Sequence, residues 1–176
     1  MGTNTEKLRK KLTLEDLIDR AEIRDVLMRY LRGVDRIDLE LIRSSFHSDA
    51  DIGFPDDVYT GKVDGFVNFL KDELPSFKRS NHFVGNLLIE LDGDVAYTET
   101  YLFANHESSA THKWAGAFVS LWARYVDRFE RRDGEWRIAN RKLIIDWQRK
   151  DESGGWRDIP PEQLGRRDGT DPVQLR

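Results

Sequence analysis

The chain has no cysteine. That excludes disulfides, thiol nucleophiles, thiolate zinc sites and cysteine-held iron–sulfur clusters, and it fits a reducing compartment. Proline is sparse at 5 residues and glycine reaches only 13 of 176, so neither a collagen-like nor a low-complexity chain is in question. There is no excess of positive charge. With 28 basic and 32 acidic residues the net charge is −4, and nothing offers a broad positive field to a nucleic-acid backbone. No apolar run approaches the roughly 18 residues of a membrane span. The stretch from Met1 to Lys11 is polar where a secretory leader needs an apolar segment. Glu6 occupies the place where a myristoylation motif wants Ser or Thr, and the C-terminal Leu-Arg is no prenylation box. The reading is a cytoplasmic protein that contacts neither nucleic acid nor membrane. Dinucleotide fingerprints, phosphate loops and Gly-x-Ser-x-Gly elbows are absent too.

What is present is a globular composition, 39% hydrophobic and 34% charged, on a chain long enough for one core. A single domain is expected over 1–176, with a polar arm over 1–12, a folded body over 13–147 and an extended tail over 148–176. Thr13 and Asp16 read as a helix start. Leu14, Leu17, Ile18, Ala21, Leu27, Tyr30, Leu31 and Val34 then keep helical spacing, with Asp19, Arg20, Glu22, Arg24 and Arg29 opposite. Gly33 closes that helix. Asp38 caps a short second one carrying Leu39, Leu41, Ile42 and Phe46. A short strand fits Ala50 to Phe54, and Gly61 to Leu74 reads as a third helix stopped by Pro75. The period then changes to two. Phe83–Leu91 and Val95–Phe103 flank Asp92-Gly93, while Ala115–Glu130 and Glu135–Trp147 flank Arg131-Arg132-Asp133-Gly134. Helices first and an antiparallel meander second predict an α+β fold, a strongly curved sheet covered on its concave face by helices. Such a cone encloses an apolar pocket with a few converging polar groups.

Some polar residues are not required by the fold. Asp35 lies at the C-terminal end of the first helix, where the helix dipole disfavours a carboxylate. It is either a solvated turn residue beside Arg36 or a site group. His82 opens the first long strand, and alternation puts His82, Val84 and Asn86 on one face. It is a packing histidine or a base, depending on whether that face is inside. Arg141 shares a face with Leu143 and Ile145, and if that face is buried it needs an anionic partner. His47-Ser48-Asp49-Ala50-Asp51 reads as corner chemistry rather than a metal site. His106 and His112 fall in an expected loop, where with Glu107 they can at most dress the pocket mouth or an interface.

Tyr30 with Gly33-Val34-Asp35, the run Asn81-His82-Phe83-Val84-Gly85-Asn86, the hairpin Glu130 to Trp136, and Arg141 resemble the SnoaL-like branch of the nuclear transport factor 2-like superfamily. The likeness spans roughly residues 13 to 147 and is greatest to hexachlorocyclohexane dehydrochlorinase and bile acid 7α-dehydratase, with scytalone dehydratase more distant. It implies a cone-shaped α+β barrel and cofactor-independent elimination from a small hydrophobic, cyclic or aromatic substrate, with no metal and no organic cofactor. It implies Asp35 and His82 as a general-base dyad and Arg141 and Tyr30 as electrostatic aids. The wall is expected from Phe54, Tyr59, Phe66, Phe69, Asn86, Tyr101, Phe103, Trp114 and Phe118. A homo-oligomer, trimer or dimer, is implied through the outer sheet face, with the tail reaching a neighbour. Two other readings stay open. One is a noncatalytic ligand-binding or assembly subunit of the same fold, like the small subunit of ring-hydroxylating dioxygenases. The other is a polyketide-cyclase-like isomerase.

Overall fold

A computed structural model describes residues 11–55, 58–152 and 159–171; most of the expected N-terminal arm, Trp156 and the last five residues lie outside the described residues. Helix α1 spans Leu14–Arg36 and starts as expected, with Thr13 and Asp16 forming a reciprocal capping box. Helix α2, Leu39–Ser44, is capped by the Asp38 carboxylate on the Leu41 N–H. Strands β1 (Phe46–Gly53) and β2 (Thr60–Lys62) follow, then helix α3 (Val63–Glu73) and a 3₁₀ turn over Leu74–Ser76. Four long strands complete the body: β3 (Phe77–Asp92), β4 (Val95–Ser108), β5 (Phe118–Arg132) and β6 (Glu135–Asp151).

The sheet order is β2-β1-β6-β5-β4-β3, with β1 parallel to β6 and every other neighbour antiparallel. It does not close; β3 and β2 are its edges. The β5–β6 turn carries Asp133 and Gly134 both at positive φ, the geometry a two-residue hairpin demands. Strands of 14 to 17 residues twist and bend at register shifts. The three helices fill the resulting concavity, and Ile23, Leu27, Phe46, Phe66, Phe129 and Ile138 form the centre of the core.

Some expectations about α1 need correcting. Leu14, Leu17, Ile18 and Ala21 are exposed, and the buried apolar stripe of α1 begins at Ile23. Asp19, expected in solvent, is buried: it accepts hydrogen bonds from Trp136 Nε1 (2.9 Å) and Arg131 (2.7 Å). Gly33 does not end the helix, which continues to Arg36. Glycine is required there because a Cβ would sit 2.7 Å from Ile42 Cγ1, so α1 and α2 cross too closely for a side chain. The left-handed cap falls instead on Ile37, at φ 56°, a strained position for a β-branched residue. Phe46, assigned to α2 by its spacing, begins β1. Residues 159–171 lie back against the body: Asp171 faces Arg36 at 3.6 Å.

Candidate active site

A cavity of about 200 Å³ opens between α1, α3 and the concave face of the sheet. Its wall is mostly apolar, with Val34, Phe54, Phe69, Leu102, Leu121 and Leu143 among its residues. His82, His106, Tyr30 and Tyr125 bring polar groups to it.

His82 enters from the sheet edge. In an antiparallel pair every second N–H of an edge strand points away from its neighbour and needs another acceptor. Asp35, on the last turn of α1, is that acceptor. One carboxylate oxygen takes the His82 backbone N–H at 3.1 Å and the other takes ring Nδ1 at 2.7 Å. A carboxylate only accepts, so Nδ1 carries the proton and Nε2 is left with its lone pair. Both side chains are largely withdrawn from water, His82 7% and Asp35 15% exposed. Asp35 and His82, singled out in the sequence, are thus in direct contact.

Arg141 is placed differently. Its side chain is fully buried and donates through Nε and Nη2 to both oxygens of Asp127, at 2.8 and 2.7 Å. The guanidinium lies 4.2 Å from the Tyr30 ring centre and 4.0 Å from that of Tyr125. Arg141 is therefore a plate behind two tyrosines, and the tyrosines form the cavity wall. Burial opposes its charge, but Asp127 and the two rings outweigh that and hold its pKa above the ordinary value. Burial raises the pKa of Tyr30, with Arg141 pulling the other way, and raises that of Tyr125 further, so both keep their hydroxyl protons.

The other wall residues divide into groups. Phe54, Phe69 and Trp114 line the cavity. Phe66 and Tyr59 stand one layer behind, packed on Phe54 and Phe69 respectively; the Tyr59 hydroxyl bonds to the Lys62 carbonyl. Asn86, Tyr101 and Phe103 face away from the cavity, in a shallow depression on the opposite sheet face with Phe83, Trp122 and Trp147. The cause for Asn86 is a bulge. Val84 pairs with Leu102 but Leu87 pairs with Thr100, so one extra residue on β3 shifts the phase and turns Asn86 outward. Tyr101 and Phe103 alternate with the inward Leu102 and Ala104 and must point out. Phe118 sits in a separate groove beside the C-terminal segment.

His106 is a site residue that the sequence reading left in a loop. It continues β4, pairs with Ser80, and places its ring 5.2 Å from that of His82. Ser80 Oγ stands 3.1 Å from His106 Nδ1 and 3.5 Å from Asp35 Oδ1, linking the two histidines. Burial, followed by the charges of His82, Arg167 and His112, pushes the His106 pKa down to about 3, so the ring is neutral in ordinary buffers. Its signal was the period of two through Thr98, Thr100, Leu102 and Ala104. His112 belongs to the loop after β4, with Nδ1 accepting from the Trp114 N–H. His47 bonds to the Glu130 carbonyl. No cluster of three or more metal-ligating side chains exists among the described residues.

Residues 15–142 match the family model of the SnoaL-like domain. The chain belongs to the SnoaL-like domain family. This SnoaL-like chain is 29% identical over 137 residues to an uncharacterised protein of Mycobacterium tuberculosis, covering 76% of this chain and 89% of that one. A hexachlorocyclohexane dehydrochlorinase from Novosphingobium barchaimii superposes with a TM-score of 0.71 at 22% identity, over 84% of this chain and 99% of the other. A scytalone dehydratase-like protein from Novosphingobium aromaticivorans gives 0.67 at 18% identity, over 81% and 97%. At these identities the likeness establishes the fold of the SnoaL-like chain, an α+β arrangement of the nuclear transport factor 2 type. No helix among the described residues is long and apolar enough to cross a membrane.

Proposed function

We propose that the protein is a lyase that eliminates water or a halide from a small hydrophobic, cyclic or aromatic substrate, with His82 as general base. The observation that carries this reading is the double contact of Asp35 with His82, at 2.7 and 3.1 Å, on the wall of an apolar cavity. Asp35 fixes the tautomer and compensates the charge that His82 gains, and Nε2 removes a carbon-bound proton. The C–H electron pair becomes the new double bond as the leaving group departs with its own pair. A departing hydroxide is protonated to water. The donors for that step are wall groups, the protonated Tyr30 and Tyr125. The serine proton goes to the Asp35 carboxylate, which can only accept, so His106 donates to Ser80 Oγ through Nδ1 and keeps a lone pair on Nε2. Arg141 acts from behind, its charge polarising the two tyrosines that it stacks between. These steps as proposed call on no metal or organic cofactor. Named relatives of similar fold that carry out dehydrochlorination support the same direction.

A noncatalytic role predicts Asp35 and His82 either too far apart to touch or buried and inert; the 2.7 Å contact argues against the first form, and the place of His82 on the wall of an open cavity against the second. We further infer self-association through the outer aromatic face, where Phe83 is 66% and Trp147 64% exposed.

The test is product analysis on cyclic alcohols and halides, following double-bond formation and the slowing of turnover when deuterium replaces the carbon-bound hydrogen that is removed. General-base help is worth about 10²- to 10⁴-fold, so H82Q and D35N should lose that much kcat while melting near the parent. Equal turnover by H82Q would remove the base from the scheme.

A further inference from the structure

A hydrogen-bonded dyad needs its two elements held together, and here they come from different layers: Asp35 from the end of α1, His82 from the edge strand β3. The end of α1 is poorly secured. The Ile37 and Asp38 N–H groups both turn back to the Gly33 carbonyl, so the next carbonyls of the helix end are left to partners outside it. The start of β3 is irregular too, with a register shift between Phe77 and Arg79.

One guanidinium meets both needs. Arg167, from the segment after β6, donates through Nε to the Asp35 carbonyl at 2.9 Å and through Nη2 to the Val34 carbonyl at 3.4 Å. Its Nη1 reaches the Phe77 carbonyl at 2.7 Å and the Leu74 carbonyl at 3.4 Å. The fork therefore spans the helix that carries Asp35 and the strand that carries His82. It also sets a positive charge at the negative end of the α1 dipole, beside a carboxylate that makes that end more negative still. Burial lowers the Arg167 pKa and the Asp35 carboxylate opposes the shift, so the two charges sense each other. Lysine, whose donors all sit on one nitrogen, cannot span four carbonyls on three elements.

We infer that Arg167 is a positioning residue of the Asp35–His82 pair, a clamp supplied by the C-terminal segment that locks the end of α1 onto β3. The inference rests on the dyad reading above, but its test does not require turnover. The readout is the imidazole N–H resonance of His82 in the full-length chain, shifted downfield by its bond to Asp35 and identified by its loss in D35N.

In R167A that resonance is expected to move upfield or vanish into water exchange. Exchange should be faster by at least about tenfold, the equilibrium worth of one hydrogen bond. R167K should fall between the two. R166A removes the neighbouring arginine, whose side chain bonds Thr170 within its own segment, and should leave the resonance unchanged. Should R167A fail to fold by circular dichroism, R167K carries the comparison. An unmoved resonance in R167A, or in R167K where that variant stands alone, overturns the clamp, as does an equal shift in R166A. A parent chain that lacks the resonance overturns the dyad itself. A clear R167A effect in a chain that eliminates nothing supports the clamp and rejects only the lyase reading.

Discussion

Replacing Arg141 by methionine should remove much of the stability of the fold, for a reason that packing alone does not supply. Methionine is long enough to fill the slot between Tyr30 and Tyr125, so little volume is lost. What is lost is the partner of Asp127. Both charged side chains are 0% exposed and joined by two hydrogen bonds. Removing one member of such a pair leaves a buried uncompensated charge and costs about 3–5 kcal/mol. Against a typical total of about 5–15 kcal/mol that is a large fraction. For a chain of this length it lowers the melting temperature by about 6–20 °C. The double variant D127V/R141M removes both charges, and it should recover to within about 1–2 kcal/mol of the parent, because an apolar substitute for a buried pair is often neutral. Urea unfolding of the parent, both single variants and the double variant closes a cycle whose coupling should exceed about 2 kcal/mol. A loss below about 1 kcal/mol in R141M would show that Arg141 does not neutralise a buried carboxylate. A double variant no better than R141M would show that shape rather than charge is what matters there.

Other predictions follow from single contacts. His106, with its pKa near 3, should show no titration between pH 5 and 9 when its ring proton is followed by NMR; a midpoint above about 5 would mean that the ring is wetter than its surroundings suggest. Because its folded pKa lies below the unfolded value of about 6.5, protonation favours the unfolded chain. Its contribution to stability is present above pH 6.5 and drains away as the pH falls towards 3, and H106F should flatten that part of the stability–pH curve. G33A forces a methyl group to within 2.7 Å of Ile42 and should destabilise by about 1–3 kcal/mol in denaturant melts, whereas an unchanged midpoint would mean that the α1–α2 crossing is looser than described. Light scattering should find an oligomer that W147E shifts towards monomer; a clean monomer for the parent at micromolar concentration would reject the outer face as an interface.

The element order and the two hairpins were legible because a period of two, a period near four and the turn residues are local signals. Thr13, Asp38, Asp92-Gly93 and Asp133-Gly134 each act within a few residues of themselves. Asp35 and His82 were legible through the family resemblance, and the direction of the Asp35 side chain was not. Alternation carried forward from His82 failed at Asn86, since nothing in Val84-Gly85-Asn86-Leu87 says which residue will be left without a partner. His106 was missed for the converse reason. The strand was expected to stop at Phe103, although inward positions continue through Ala104. Tyr125 and Asp127 were overlooked because their roles depend on a cross-strand register, Leu143 opposite Tyr125 and Arg141 opposite Asp127, that only the folded sheet supplies. Arg167 lies in a stretch with no periodicity, and its partners are backbone carbonyls, which no sequence motif marks.

The bulge on β3 has a consequence for how such a protein can change over generations. It divides one strand into two stretches with opposite phase: His82 and Val84 on one side, Leu87, Ile89 and Leu91 on the other, all turned inward. Loss of a single residue at Gly85 or Asn86 would remove the bulge and let both stretches alternate as one, all still inward, whereas gain of a residue with no second bulge to absorb it would turn either the base or the apolar row outward. Point substitutions near the bulge are minor by comparison. Strand length is here an inherited trait as consequential as the identity of the histidine. A descendant that keeps every side chain of the dyad but gains one unabsorbed residue in this strand would keep the composition of the site and lose the site.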